Sequence, residues 1–162
     1  MFERFDRTSR TVVLQAGEEA RARAATKIEA EHFLLALARH PAWDAGRLLA
    51  DAGLDHRGIE DALDLLVRRS LEAVGLGPGA IALADRPSPA TSQPGWGASA
   101  KSALRRATVI ARDHADRSMR PTHILLAVLR ADEGTVPRAL AAAGVDARAL
   151  VAAAEATLGA DR

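Results

Sequence analysis

Residues Glu31-His32-Phe33-Leu34-Leu35-Ala36-Leu37-Ala38-Arg39 return as Thr122-His123-Ile124-Leu125-Leu126-Ala127-Val128-Leu129-Arg130, an internal echo at an offset of 91 residues. The same offset pairs Arg47, Leu49, Ala50, Ala52, Gly53, Asp55 and Arg57 with Arg138, Leu140, Ala141, Ala143, Gly144, Asp146 and Arg148. The likeness therefore extends beyond one helix into the turn punctuation. Self-similarity at a fixed period marks supersecondary units that cannot bury their apolar faces alone and must stack. This points to a duplicated binding module before any catalytic motif is considered.

Each copy reads as four helices. From Arg7 to about Ala24, Val12, Val13, Ala16 and Ala20 fall at helical spacing, with Glu18, Glu19 and Arg21 elsewhere on the wheel. A second helix starts near Ala30 and carries Phe33, Leu34, Leu35 and Leu37. A third runs from about Trp43 to Ala52 and stops at Gly53, suited to a left-handed cap, and Asp55 can cap a fourth holding Ile59, Leu63, Leu65, Leu66 and Val67. In the second copy Ala103, Leu104, Ala107 and Ala111 answer Val12, Val13, Ala16 and Ala20, while Gly144 and Asp146 repeat the punctuation.

The expectation is an all-α fold: two pseudo-symmetric four-helix repeats, residues 1–73 and 99–162, forming one eight-helix bundle. Residues 74–98, with four of the seven prolines and a run of glycines, read as a linker. Strand signals are weak; Ala80-Ile81-Ala82-Leu83 is the one tempting run, and a lone strand has no partner. One departure between the copies turns Glu18-Glu19 into Val109-Ile110. That predicts either a wider buried face in the second repeat or an exposed apolar patch for a partner.

Composition narrows the function. With 48% apolar residues the chain can build a sizeable core, and with no cysteine it has no disulfide, thiolate metal site or cysteine nucleophile, which suits a reducing cytoplasm. No secretory peptide and no membrane span are expected. A formal charge of +1 and only five aromatic residues (Phe2, Phe5, Phe33, Trp43 and Trp96) argue against nucleic acid as the partner.

Chemistry has little to stand on. Gly95-Trp96-Gly97-Ala98-Ser99-Ala100-Lys101-Ser102 is one residue short of a phosphate loop, but Ala100 stands where the second glycine belongs, no buried strand precedes it, and Lys101 is the repeat partner of Arg10 within a helix. Gly75-Leu76-Gly77-Pro78-Gly79-Ala80 mimics a dinucleotide fingerprint more weakly still. His32 and His123 are equivalent by repeat, yet Ala36 and Ala127 occupy the places where a second metal ligand would stand, so both read as structural histidines. His40, His56 and His114 read as surface. With no nucleophile elbow or paired acids, no catalytic residue, metal or cofactor is assigned.

The opening Met1-Phe2-Glu3-Arg4-Phe5, then Arg10, Val12-Val13, Glu18-Glu19-Ala20-Arg21 and Ile28, Glu31-His32, Leu34-Leu35 and Leu37, resembles the N-terminal domain of the ClpC-type AAA+ unfoldases. The resemblance is close over the first repeat and extends in weaker form through Leu158. It implies a pseudo-twofold eight-helix bundle that docks adaptors and substrates, including phosphoarginine-marked proteins, and that is a target of cyclic peptide antibiotics. No nucleotide-binding module follows in this sequence, so the resemblance implies a standalone module without a motor: a partner of Clp unfoldase or protease components, a regulatory partner of another Clp-family protein, or a sequestering protein for cyclic peptides.

Carried over by position, the resemblance places peptide or cyclic-peptide contacts at Phe2, Arg10, Val13, Trp96, Lys101 and Leu104, with Arg105 where the family has an acid. Trp96 stands where the family has Phe and enlarges an apolar anchor. A phosphoarginine-type pocket would use Glu31 and His32, with the carboxylate on the guanidinium and helix amides on the phosphate. Ala30 replaces the family's usual Thr, and in the second repeat Thr122 replaces the acid, so at most one such pocket is expected.

Overall fold

The computed structural model describes residues 4–76 and 93–160. They form α1 (Arg7–Ala22), β1 (Lys27–Ile28), α2 (Ala30–Ala38), α3 (Asp44–Asp51), α4 (His56–Ala73), β2 (Gly95–Trp96), α5 (Ala98–Asp113), α6 (Pro121–Leu129), α7 (Thr135–Ala142) and α8 (Ala147–Ala160). Eight helices among the described residues thus divide four and four, as the duplicated sequence requires.

The centre is built from the two segments that echo each other most strongly. α2 and α6 are apolar on every side, and a helix of that kind must be wrapped by others. Phe33, Leu34, Leu35 and Leu37 on α2, and Ile124, Leu125 and Leu126 on α6, are buried, and the two helices pack together. α1 packs on α2 as α5 packs on α6, and across the molecule α4 lies on α7 as α8 lies on α3. One continuous core therefore joins both repeats.

The pseudo-symmetry holds at the level of individual backbone angles. Ala24 and Ala115 end the first helix of each repeat in left-handed conformations, φ 53° and 56°, which turns the chain out of the helix before the position the sequence suggested. Gly53 and Gly144 do the same after the third helices, φ 74° and 69°, where a side chain would be strained. Asp55 Oδ1 accepts from the Gly58 amide at 2.7 Å and Asp146 Oδ1 from the Ala149 amide at 3.1 Å, so both expected caps form.

Sequence patterning missed the short strands. β1 pairs in parallel with β2, Lys27 opposite Gly95 and Ile28 opposite Trp96, and a single bridge joins Phe5 to Met119 in the same sense. These pairs are one interaction seen twice, because Phe5 and Trp96, like Ile28 and Met119, are related by the 91-residue offset. The Gly97 amide donates to the Ile28 carbonyl at 2.9 Å and the Asp6 amide to the Met119 carbonyl at 3.1 Å. Each repeat's entry to its first helix is thus hydrogen-bonded to the other repeat's entry to its second. Two residues per strand leave no period-2 signal to read, and each finds its partner only in the other repeat. The stretch read as a linker ends in this paired backbone; Ala80-Ile81-Ala82-Leu83 lies outside the described residues.

The same junction shows how a lost cap is replaced. Asp6 caps α1, its Oδ1 accepting from the Ser9 amide at 2.6 Å. Its counterpart before α5 is Gly97, which has no side chain to offer. Glu29 of the first repeat reaches over instead: its Oε2 accepts from the Ser99 amide at 3.0 Å and from Ser99 Oγ at 2.5 Å, and Ser99 Oγ accepts from the Ala30 amide at 2.9 Å. A Cβ on residue 97 would collide with the Glu29 carboxyl group, which would have to swing away and give up its bonds to Ser99. Glu29→Ala should cost about 1 kcal/mol, as loss of an N-cap typically does, and Gly97→Asp should cost more because it drives the two groups together. Combining Glu29→Ala with Gly97→Asp leaves the introduced carboxylate free to cap α5 as Asp6 caps α1, so the double variant should be more stable than Gly97→Asp alone. Urea denaturation of the three variants reads this non-additivity.

Candidate peptide-binding groove

Trp96 sits where the exchanged strands meet the outer face of α1. Its ring lies 6.3 Å from that of Phe33, tilted by 31°, and it remains 37% exposed, whereas Phe5 at the equivalent place is 4% exposed. Beside it opens a groove of about 770 Å³. Val13, Leu14, Gly17, Ile28 and Trp96 supply its apolar surface, Arg10, Glu18 and Arg21 its charges, and Gln93 and Pro94 one end. On α1 the positions 10, 13, 14, 17, 18 and 21 follow helical spacing, which places them on one face.

Three of the residues expected to hold a peptide, Arg10, Val13 and Trp96, therefore come together. Lys101, Leu104 and Arg105 do not line this groove; on α5, Lys101 and Arg105 point to solvent and Leu104 is buried. Phe2 lies outside the described residues. Sequence reasoning missed Leu14, Gly17, Glu18, Arg21 and Ile28. The spacing of the α1 residues was legible, but their facing Trp96 depends on the strand exchange, which was not.

At the matching place on the second repeat the counterpart of Trp96, Phe5, is buried, so the described residues expose no aromatic anchor there. Arg4, Thr108, Met119 and their neighbours enclose a space of only about 10 Å³. Ile110 is buried where the first repeat has Glu19, and Val109 is 44% exposed. The change thus exposes one apolar side chain, Val109, while position 110 stays buried as Glu19 is. Glu19 is itself buried and bonds Arg39 Nε at 3.1 Å and His56 Nε2 at 2.9 Å. His56 is consequently hydrogen-bonded to a buried carboxylate rather than the plain surface histidine expected. In the second repeat Ala147 replaces His56 as Ile110 replaces Glu19, so the polar pair is exchanged for an apolar one as a unit. His40 also departs from expectation, stacking on Trp43 with ring centres 3.7 Å apart and bonding Gln15 Oε1 at 2.6 Å.

Glu31 and His32 open α2. His32 Nδ1 accepts from the Glu29 amide at 2.9 Å, and His123 Nδ1 from the Arg120 amide at 2.9 Å. Both rings are buried and hold the helix starts as structural histidines. Burial pushes both below the usual histidine pKa, in His123 against the opposing pull of Asp116, whose Oδ2 lies 2.8 Å from Nε2. Asp116 titrates below the ordinary carboxylate range despite its partial burial, because it is bonded to and faces Arg120 and His123.

Glu31 is half-buried between two cavities, one of about 380 Å³ with Ser99, Ser102 and Arg106, the other of about 610 Å³ with Arg23, Lys27 and His32. Thr122, its counterpart, is 4% exposed, a place where a carboxylate would be stripped of water. The first turn of α5, reminiscent of a phosphate loop in sequence, already has the Glu29 carboxylate on its Ser99 amide, where a nucleotide phosphate would compete with a negative charge. Among the described residues no cluster of three or more metal-ligating side chains forms.

Residues 97–161 match the family described as Clp repeat (R) N-terminal domain. This part of the chain is similar to a Clp N-terminal repeat. Solved structures extend this fold across the whole chain. The N-terminal domain of the caseinolytic protease associated chaperone ClpD from Arabidopsis thaliana is similar with a TM-score of 0.73 and 22% identity over 98% of this chain and 97% of that one. The Hsp104 N-terminal domain from Candida albicans gives 0.68 and 20% over 94% and 89%, and a protein described under a malarial protein secretion system gives 0.67 and 13% over 96% and 95%. Curated proteins gave no sequence match. The chain therefore carries the all-α double Clp-N fold, and no described helix is long and apolar enough to cross a membrane.

Burial holds the Glu31 carboxyl above the ordinary carboxylate range, the other influences being smaller. A raised pKa in the folded state means that folding favours the protonated form, so stability falls as pH rises through the carboxylate range and the whole cost is present at neutral pH. Glu31→Gln should accordingly raise the melting temperature at pH 7, and the gain should vanish by about pH 4. Thermal melts of both proteins across this range test it.

Proposed function

We propose that this chain is a non-enzymatic peptide- and protein-binding module that uses the α1 groove beside Trp96 to hold an apolar side chain of its ligand. The observation that carries the reading is the pairing of a partly exposed tryptophan with an open groove of about 770 Å³, where the equivalent Phe5 is buried. Anchoring aromatics flanked by arginine are the residue types that dominate binding energy at interfaces. Phe2, by resemblance, and the exposed Lys101 and Arg105 extend the proposed contact surface over the buried Leu104, with residues 1–73 and 99–162 acting as the two repeats. Working in the cytoplasm, such a module delivers clients to Clp protease components as an adaptor does, or sequesters cyclic peptide antibiotics aimed at a ClpC-type unfoldase.

Glu31, kept under-solvated at a helix start, supports a second element of the reading: a pocket for a guanidinium such as that of phosphoarginine. His32 positions that helix start. The exposed Val109 favours one alternative, docking of another Clp-family protein on α5.

Calorimetric titration with a ClpC-directed cyclic peptide tests the main reading. Saturation with a Kd in the tens of micromolar or tighter is expected, equivalent to about −6 to −7 kcal/mol. Trp96→Ala should weaken it by at least about tenfold with the fold intact. Absence of heat and of saturation removes the cyclic-peptide role, and co-migration of the chain with a purified unfoldase in size exclusion favours the docking alternative.

A further inference from the structure

The chain is nearly neutral, but its charge is not evenly spread. α1 and α5 together hold seven basic and three acidic side chains, a net +4 against +1 for the whole protein. All three acids are engaged: Glu19 is buried against Arg39 and His56, Glu18 pairs with Arg39 at 3.0 Å, and Asp113 lies 3.6 Å from Arg112. Arg21, at the groove, has no carboxylate partner among the described residues. Lys101 and Arg105 are exposed on α5, within about 15 Å of chain from Trp96 by helical rise. Leu14, 72% exposed, and Trp96 line the same groove as Arg10 and Arg21, so apolar and cationic surface coincide here. Among the described residues Glu18 is the only acid lining the groove, and Arg39 largely cancels it.

Resting on the reading of the groove as a peptide site, we infer that its ligands are acidic: a peptide segment with one bulky apolar side chain seated beside Trp96 and aspartates or glutamates facing Arg21 and the basic end of α5. Because Phe5, the counterpart of Trp96, is buried, the described residues offer one such anchor, and one segment binds per chain. The arrangement assigns two jobs. The apolar contact supplies short-range affinity, and the net positive face selects against cationic sequences and speeds the encounter. A nucleic acid fits less well, since a single partly exposed indole offers no platform for successive bases.

The test uses fluorescence anisotropy with three short labelled peptides: one phenylalanine flanked by aspartate and glutamate, the same peptide flanked by lysine, and the acidic peptide with alanine for phenylalanine. A labelled single-stranded oligonucleotide is the fourth probe. At about 50 mM salt the acidic phenylalanine peptide should bind at least about tenfold tighter than the lysine peptide with a stoichiometry of one, and the gap should shrink at about 0.5 M salt. Arg21→Glu, a change at an exposed position, should cut acidic binding by about tenfold and improve lysine-peptide binding; Arg21→Gln serves if the reversal disturbs folding. Equal affinity for acidic and lysine peptides overturns the charge preference while leaving the groove as a peptide site. Failure of both phenylalanine peptides removes the groove reading itself. Equally tight binding of the alanine peptide or the oligonucleotide would show a general polyanion surface and overturn the inference.

Discussion

The reciprocal backbone pairing between the two repeats is the constraint on which the rest depends. The Gly97 amide bonds the Ile28 carbonyl and the Asp6 amide bonds the Met119 carbonyl, so each repeat is closed by a segment of the other. Buried amides and carbonyls must find partners, and these find them only if both repeats are present and in register. The exchange also fixes where each lead-in aromatic goes, Phe5 into the core and Trp96 to the mouth of the groove. What the groove can bind follows from what the exchange makes of one side chain.

Against that symmetric frame, the differences between repeats fall into compensated pairs. Glu29 stands in for the cap that Gly97 cannot provide, and any larger residue at position 97 would displace its carboxylate. Glu19 with His56 becomes Ile110 with Ala147, a polar contact replaced at both ends so that neither leaves a charge unpaired in the core. Thr122 sits buried where the first repeat has the half-buried Glu31. These exchanges leave the first repeat with an open, charged groove beside an exposed tryptophan, where the second repeat buries Phe5. The duplicated frame thus offers two kinds of surface.

Much of the fold was legible because its signals are local. Apolar spacing, Gly53 and Gly144 in left-handed caps, and Asp55 and Asp146 as N-caps each act within a few residues, and the 91-residue echo made each reading count twice. The site was legible only in part. Arg10 and Val13 carry a helical pattern, but nothing within a few residues of Trp96 says that it pairs beside Ile28, so its place on α1, and the exclusion of Lys101 and Leu104 from the groove, depended on contacts between distant segments. His56 was misread for the same reason: its partner Glu19 is 37 residues away. The capping roles of His32 and His123 were nearer to hand, since each ring bonds an amide three residues back.

If the repeats form one interlocked unit rather than two neighbours, they must open together. Native-state hydrogen exchange measured against denaturant tests this most directly. Amides in the interior of α2 and α6 should share one opening free energy and one denaturant dependence, both equal to those of global unfolding. If one repeat's central helix exchanged through a separate, cheaper opening while the other stayed protected, the interlock would not be what holds the molecule together.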